Sequence, residues 1–352
     1  VDARACVLME KSTGQVLYAV NEHEQLEPAS VTKIMTILLT MEAIDSGALR
    51  YDDTVTASAY ACSMGGSQIW LKENEQMTVE DMLKAVCVAS ANDCSVALAE
   101  HIAGSADAFV ERMNLRAREL GMQDTHFVNC TGLPAEGHAT SAWDIAVMSR
   151  ELIRRHPDIR RFTTIWMDTL RDGQFQLSNT NKLIRFYEGA TGLKTGSTDS
   201  AKYCISATAE REGMELIAVV LKSPTGQQRF EDAKTLLNYG FSTYGLIHAA
   251  PEEPLPPVPV TLGTRDAVQS MVDPAEGLLL AEKARLQGLE QTVTLPESAA
   301  APVRQGDVLG TLTVTQNGET LLEVPIRAAE TVEKLTFGEM FLRLARTMCF
   351  CG

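Results

Sequence analysis

The run from Val31 to Ile44 constrains this chain more than any other segment. Its only charges are Lys33 and Glu42, and nearly everything else in it is apolar or hydroxylated. A helix that is apolar on most faces has no solvent side, so it must run through the centre of a domain. Lys33 is therefore carried into a core, where an unpaired ammonium is costly unless it has a task. Ser30 stands three positions earlier, which puts hydroxyl and amine on one helix face.

The segments around this helix give its setting. Ala3 to Met9 and Gln15 to Val20 are strand-like runs split by Lys11-Ser12-Thr13-Gly14, a hairpin pattern. Thr78 with Asp81 opens a helix through Val88, and a polar break at Ser90-Ala91-Asn92 separates it from a helix over Asp93 to Ala103. Ser105 to Leu120, closed by Gly121, and a helix opened by Ser141 with Asp144 follow. Leu193 to Thr208 and Met214 to Lys222 read as strands joined at Arg211-Glu212-Gly213, and Glu231 to Tyr239 as a last helix. This order predicts an α+β domain over residues 1–248, its antiparallel sheet drawing strands from both ends with helices inserted between.

Pro251 to Pro259 is a stiff connector, assigned to residues 249–259. Short alternating runs with turn residues predict a small all-β domain over 260–329. In the segment 330–352, Phe337, Met340, Phe341, Leu344 and Met348 fall at helical spacing opposite Glu339, Arg343 and Arg346, the pattern of an amphipathic tail helix.

Composition excludes several classes. Lys plus Arg is 31 against 46 Asp plus Glu, a net charge of −15 without a basic run, which argues against nucleic-acid binding. No apolar stretch reaches the ~20 residues of a spanning helix. The eight cysteines contain no C-x-x-C and read as buried single thiols. The histidines show no H-E-x-x-H and no ligand-like clustering, so neither a metal nor a cofactor is expected. His138 lies in a loop read as structural. The chain opens at Val1 in a strand-like run, as after removal of a signal peptide.

Ser30-Val31-Thr32-Lys33, Ser90-Ala91-Asn92 and Lys194-Thr195-Gly196 are each unremarkable alone: a helix cap, an inter-helix turn and an edge strand. Together and in this order, separated by 60 and 104 residues from serine to serine to lysine, they match the S-x-x-K, S-D-N and K-T-G set of serine β-lactamases and penicillin-binding proteins, with Ala91 in the middle of the second. Glu27 to Thr36, Asn129 to Pro134, Gly137 to Asp144, Asn179 to Leu183 and Gly192 to Gly196 extend the likeness. Over Ala3 to Phe241 the chain resembles the serine D-alanyl-D-alanine carboxypeptidases, low-molecular-mass penicillin-binding proteins with a β-lactamase/transpeptidase-like domain.

The resemblance implies that Ser30 attacks the penultimate D-alanine of a peptidoglycan stem peptide with Lys33 as base. Lys33 would be kept neutral by burial and by the like charge of Lys194. Ser90 would pass a proton to the leaving amine, and Asn92 would hold Lys33 and the substrate amide. The backbone N–H groups of Ser30 and Ser197 would form the oxyanion hole, with Thr195, Gly196 and the more distant Arg229 at the substrate carboxylate. β-Lactams would trap the same serine. The β domain and tail fit the family layout, with the tail as an anchor on the outer face of the bacterial cytoplasmic membrane. Alternatives on the same fold are a DD-endopeptidase, a β-lactamase or a non-catalytic sensory module. No E-x-x-L-N string lies between Asn92 and Lys194, against a class A β-lactamase, and Ser30, Lys33 and Lys194 are all kept, against a non-catalytic module.

Overall fold

In the computed structural model, which describes residues 1–251, 253–274 and 276–350, the chain divides at Ser242/Thr243 into two units. The first opens with the expected hairpin, β1 (Ala5–Glu10) and β2 (Val16–Val20). All six residues of β1 are buried, which explains its unbroken apolar run. Glu10 closes the turn by accepting from the backbone N–H groups of Ser12 and Thr13.

A 3-10 turn over Ala29–Thr32 leads into α1 (Lys33–Asp45). Ile34, Met35, Ile37, Leu38 and Met41 are fully buried, so several faces of α1 are covered, as its sequence requires. Around it lie α2 (Val79–Ala89), α3 (Asn92–Ala103), α4 (Ala106–Glu119) and α5 (Ala142–Arg155). Hydroxyls of Thr78, Ser105 and Ser141 cap α2, α4 and α5 by accepting the N–H three residues on.

A small hairpin, β3 (Met167–Leu170) and β4 (Phe175–Ser178), precedes β5 (Ala190–Thr198), β6 (Lys202–Arg211) and β7 (Met214–Ser223). The run Leu193 to Thr208, read from the sequence as one strand, is thus two strands. Asp199, Ser200 and Ala201 make the turn, with Thr198 Oγ1 accepting from the Ala201 N–H. The sheet order is β2–β1–β7–β6–β5, all antiparallel, with strands from both ends of the unit and β5 at an edge. The last helix, α6 (Gly226–Thr243), is longer at both ends than its apolar spacing suggested.

The second unit is all β before its terminal helix. Its largest sheet orders Ser270–Val272, Glu319–Ala328, Val308–Gln316 and Leu289–Thr294 around Leu312, Val314, Val324 and Ile326. The expected boundaries shift here. Tyr244–His248 pairs with Leu278–Glu282, and Ala249 is buried in this core, so both belong to the second unit rather than to 1–248 or the connector. Val258–Thr261 is already a strand, and Val332 bridges Val303 inside a second cluster. The tail helix therefore begins only at Phe337 and runs to Phe350. The side chains of Leu344, Arg346 and Met348 lie outside the described residues.

Asp93 ties the helical layer together. Fully buried, its carboxylate accepts from the N–H groups of Ile69, Leu71 and Cys94. Replacing it by Ala leaves these donors unsatisfied at ~1–3 kcal/mol each. The expected outcome is a fall in unfolding free energy of roughly 3 kcal/mol in urea melts of the full chain, with Asp93→Asn retaining part. An unchanged midpoint would show that the carboxylate does not hold this loop.

Candidate active site

Three segments separated in the chain carry the residues that the sequence singles out around Ser30. The first is the turn that carries it. Ala29 sits at φ +50, a left-handed conformation costing an L residue about 1–2 kcal/mol. That bend presents Ser30 half-buried at the head of α1 while Lys33, one turn on, is fully buried. Lys33 Nζ lies 2.9 Å from Ser30 Oγ and donates to the Thr131 carbonyl at 2.6 Å.

The second segment is the break between α2 and α3. Ser90 caps α2 in the left-handed conformation, φ +63, which turns the chain sharply enough for Asn92 to start α3. Asn92 Nδ2 donates to the Gly65 carbonyl at 2.7 Å and its N–H to the Ser67 carbonyl at 2.7 Å. Ser90 Oγ and Asn92 Oδ1 are buried without a hydrogen-bond partner among the described residues. Buried polar atoms are normally paired, so both atoms have capacity for a further hydrogen bond.

The third is edge strand β5. Lys194 is buried, with Nζ donating to the Thr195 carbonyl, and Thr195 Oγ1 donates to Thr180 Oγ1 at 2.7 Å. Gly196 passes so close to the nucleophile turn that a Cβ there would lie 2.8 Å from the Ser30 nitrogen. Gly132 does the same from the other side: its Cβ would overlap the Ala29 carbonyl at 1.8 Å. Ser197 is exposed at the end of the strand. Arg229 stands behind β5 rather than in the open: Nη1 donates to the Gly196 and Cys204 carbonyls, and its guanidinium lies over the Phe230 and Tyr203 rings.

Several positions that organise the site were not singled out from the sequence. Gly65, Ser67 and Thr180 act through the backbone or one hydroxyl, and Thr131 gives only a carbonyl; Thr131 and Thr180 lie in stretches that carry the resemblance, with no role assigned to them there, and the GGS run is the one local signal for the first pair. His138 is structural, as expected, yet it reaches the site. The Val128 N–H donates to Nδ1, which leaves Nε2 as the protonated nitrogen facing Thr32 Oγ1 at 2.8 Å. It thereby joins the nucleophile turn to the loop that bears Thr131. Burial, with His126 nearby, pushes His138 down to about 4, so this neutral tautomer persists at ordinary pH.

The electrostatics centre on two lysines. Burial, and after it the positive charge of Lys194, hold Lys33 well below the ordinary lysine range. Lys194 is pushed down to about 7, again chiefly by burial. Such an amine can be neutral and basic near neutrality, which a surface lysine cannot. Among the described residues no cluster of His, Cys, Asp or Glu could hold a metal ion.

Lys194 also fixes a pH dependence of stability. Below about 7 both folded and unfolded chains carry its proton, and the full cost of the buried charge applies. Between about 7 and 10.5 the unfolded chain binds a proton that the folded chain has shed, so stability rises with pH across that window. Lys194→Met removes this contribution. Its melting temperature relative to the parent chain is expected to be most favourable at pH 7 and to lose that advantage towards pH 10. A difference constant with pH would contradict the depressed lysine.

Comparison with known proteins agrees with this geometry. Residues 1–225 match the peptidase S11 family, described as D-alanyl-D-alanine carboxypeptidase, and residues 254–334 match the C-terminal domain of penicillin-binding protein 5. The D-alanyl-D-alanine carboxypeptidase DacF of Bacillus subtilis (strain 168) is 42% identical over 340 residues, covering 96% of this chain and 87% of the relative. The crystal structure of penicillin-binding protein 5 from Haemophilus influenzae is similar with a TM-score of 0.81 at 28% identity, over 95% of this chain and 98% of that one. Penicillin-binding protein D2 from Listeria monocytogenes in its ampicillin-bound form is similar with a TM-score of 0.60 at 33% identity, over 68% of this chain and 98% of that one. With Ser30 and Lys33 in contact at the head of a buried helix and this breadth of similarity, the chain belongs to the D-alanyl-D-alanine carboxypeptidases, the serine peptidases of family S11.

Proposed function

We propose that this carboxypeptidase removes the terminal D-alanine from peptidoglycan stem peptides through an acyl-enzyme on Ser30. The observation that carries the proposal is the 2.9 Å contact between Ser30 Oγ and the fully buried amine of Lys33. In its neutral form Lys33 offers a lone pair to the Ser30 hydroxyl, while one N–H stays on the Thr131 carbonyl and fixes the direction of that lone pair.

Ser30 Oγ then bonds to the carbonyl carbon of the penultimate D-alanine as its proton passes to Lys33. The N–H groups of Ser30 and Ser197 receive the developing oxyanion. The C–N bond breaks as Ser90 gives its proton to the leaving amine and takes up the proton held by Lys33, which leaves Lys33 neutral again. Asn92 Oδ1 accepts from the substrate amide or from Lys33. Water, deprotonated by the neutral Lys33, attacks the ester carbon, and Lys33 returns the proton to Ser30 Oγ as the C–O bond breaks and the shortened peptide leaves as its acid. Thr195 with the Gly196 backbone receives the terminal carboxylate, and the buried cations of Lys194 and Arg229 supply a positive field behind it.

β-Lactams acylate Ser30 in this account, as suggested by the ampicillin-bound form of the Listeria relative. Without the glutamate of the class A β-lactamases the adduct persists. The enzyme works outside the cytoplasmic membrane, where this substrate lies. Among the described residues no helix is long and apolar enough to cross a membrane. Phe337, Phe341 and Leu342 are exposed at the start of the tail helix, and they support an anchor lying in the membrane surface.

Ser30→Ala is expected to abolish both D-alanine release and covalent labelling by a fluorescent penicillin. Retained labelling would assign the nucleophile elsewhere. For the anchor, lipid-vesicle flotation of the full chain is compared with one ending at Thr336, a truncation that spares the buried Val332. Loss of flotation is expected, and equal flotation would remove the anchor.

A further inference from the structure

Trp70 combines two unfavourable features. Its ring is 65% exposed, and its backbone sits at φ +54, a left-handed conformation that a bulky side chain seldom adopts. The neighbours on both sides hold it there, since the N–H groups of Ile69 and Leu71 both bond to buried Asp93. Strain maintained in order to display an apolar ring is a sign of function rather than of packing.

The displayed ring has a companion. Phe175, half-buried on β4, meets Trp70 edge to face with ring centres 5.9 Å apart. Arg171 lies over Phe175 and locks the two segments together. Its Nε and Nη2 bond the Glu75 carboxylate, and its Nη1 donates to the Ile69 carbonyl. The guanidinium is thus consumed by protein partners, and its charge is matched by Glu75. What this shelf offers to solvent is the open Trp70 ring and the half-buried Phe175 ring beside a neutralised ion pair, which suits an uncharged partner with an apolar face and polar edges.

Both halves of the shelf are continuous with the active site. Trp70 lies three residues beyond Ser67, whose carbonyl accepts from Asn92. Phe175 lies five residues before Thr180, which bonds Thr195. We propose that Trp70 and Phe175 stack against sugar rings of the glycan strand to which the stem peptide is attached, so that the enzyme reads the polymer as well as the peptide. N-acetylated pyranoses present an apolar C–H face with polar edges, and they carry no charge once the lactyl carboxyl is amide-linked to the peptide. The proposal rests on the assignment of stem peptides as substrate.

The test compares kcat/KM of the full chain on a free pentapeptide ending in D-Ala-D-Ala with that on the same pentapeptide borne on a short glycan chain. Trp70→Ala is expected to lower the glycan-linked to free ratio about tenfold, the effect of losing an aromatic anchor. Phe175→Ala should lower it in the same direction, and Trp70→Phe should keep part of it. A ratio unchanged in both alanine variants overturns the proposal, whether the two activities fall together or not at all. Lipid-vesicle binding that is lost in Trp70→Ala while the ratio stands would also overturn it, in favour of a membrane contact. A parent chain that cleaves neither substrate would instead count against the stem-peptide assignment itself.

Discussion

The structure depends on keeping the amine of Lys33 in a place where an ammonium is unwelcome. Burial removes the water that would stabilise its charge, and Lys194 adds repulsion. A core helix with no solvent face is what makes that burial possible. The apolar residues of α1 therefore matter to Ser30 and Lys33 alike, because they set the medium around the amine.

The rest of the first unit brings backbone into contact with that helix head. Gly196 and Gly132 let an edge strand and a loop approach from opposite sides, closer than any side chain allows. Each brings something with it: β5 carries Lys194 and Thr195, and the loop carries the Thr131 carbonyl. His138, held neutral, links the loop back to Thr32, so the turn that carries Ser30 and the loop that holds Lys33 share one hydrogen-bonded connection. Asp93 and the Gly65 and Ser67 carbonyls do the same for Asn92. Side chains arranged this way stand on backbone contacts that fix their positions.

Much of this was legible in the sequence, for a physical reason. The apolar run around Lys33, the capped helices and the hairpin β1–β2 are local patterns whose periodicity or capping residues stand on the page. The order of the three motifs pointed to Ser30 and Lys33, which the fold brings into contact, and to the strand of Lys194, whose Gly196 passes close to Ser30. What sequence did not disclose depends on contacts between distant backbones. The turn at Asp199 to Ala201 has no Gly or Pro to mark it. Tyr244–His248 follows α6 without a break, so only its pairing with Leu278–Glu282 assigns it to the second unit. The resemblance names Arg229 as a more distant residue at the carboxylate, and only the fold shows its Nη1 donating to the Gly196 carbonyl. A carbonyl group such as that of Thr131 leaves no mark of its role, since every residue has one.

The most direct measurement is an NMR titration of Lys33 in the chain labelled with 13C at the lysine ε carbons, assigned by the loss of one resonance in Lys33→Met. The account requires that this resonance titrate well below the ordinary lysine value of 10.5. Lys194→Met should move it upward. A Lys33 resonance that titrates with the surface lysines would leave Ser30 without its base and contradict the account.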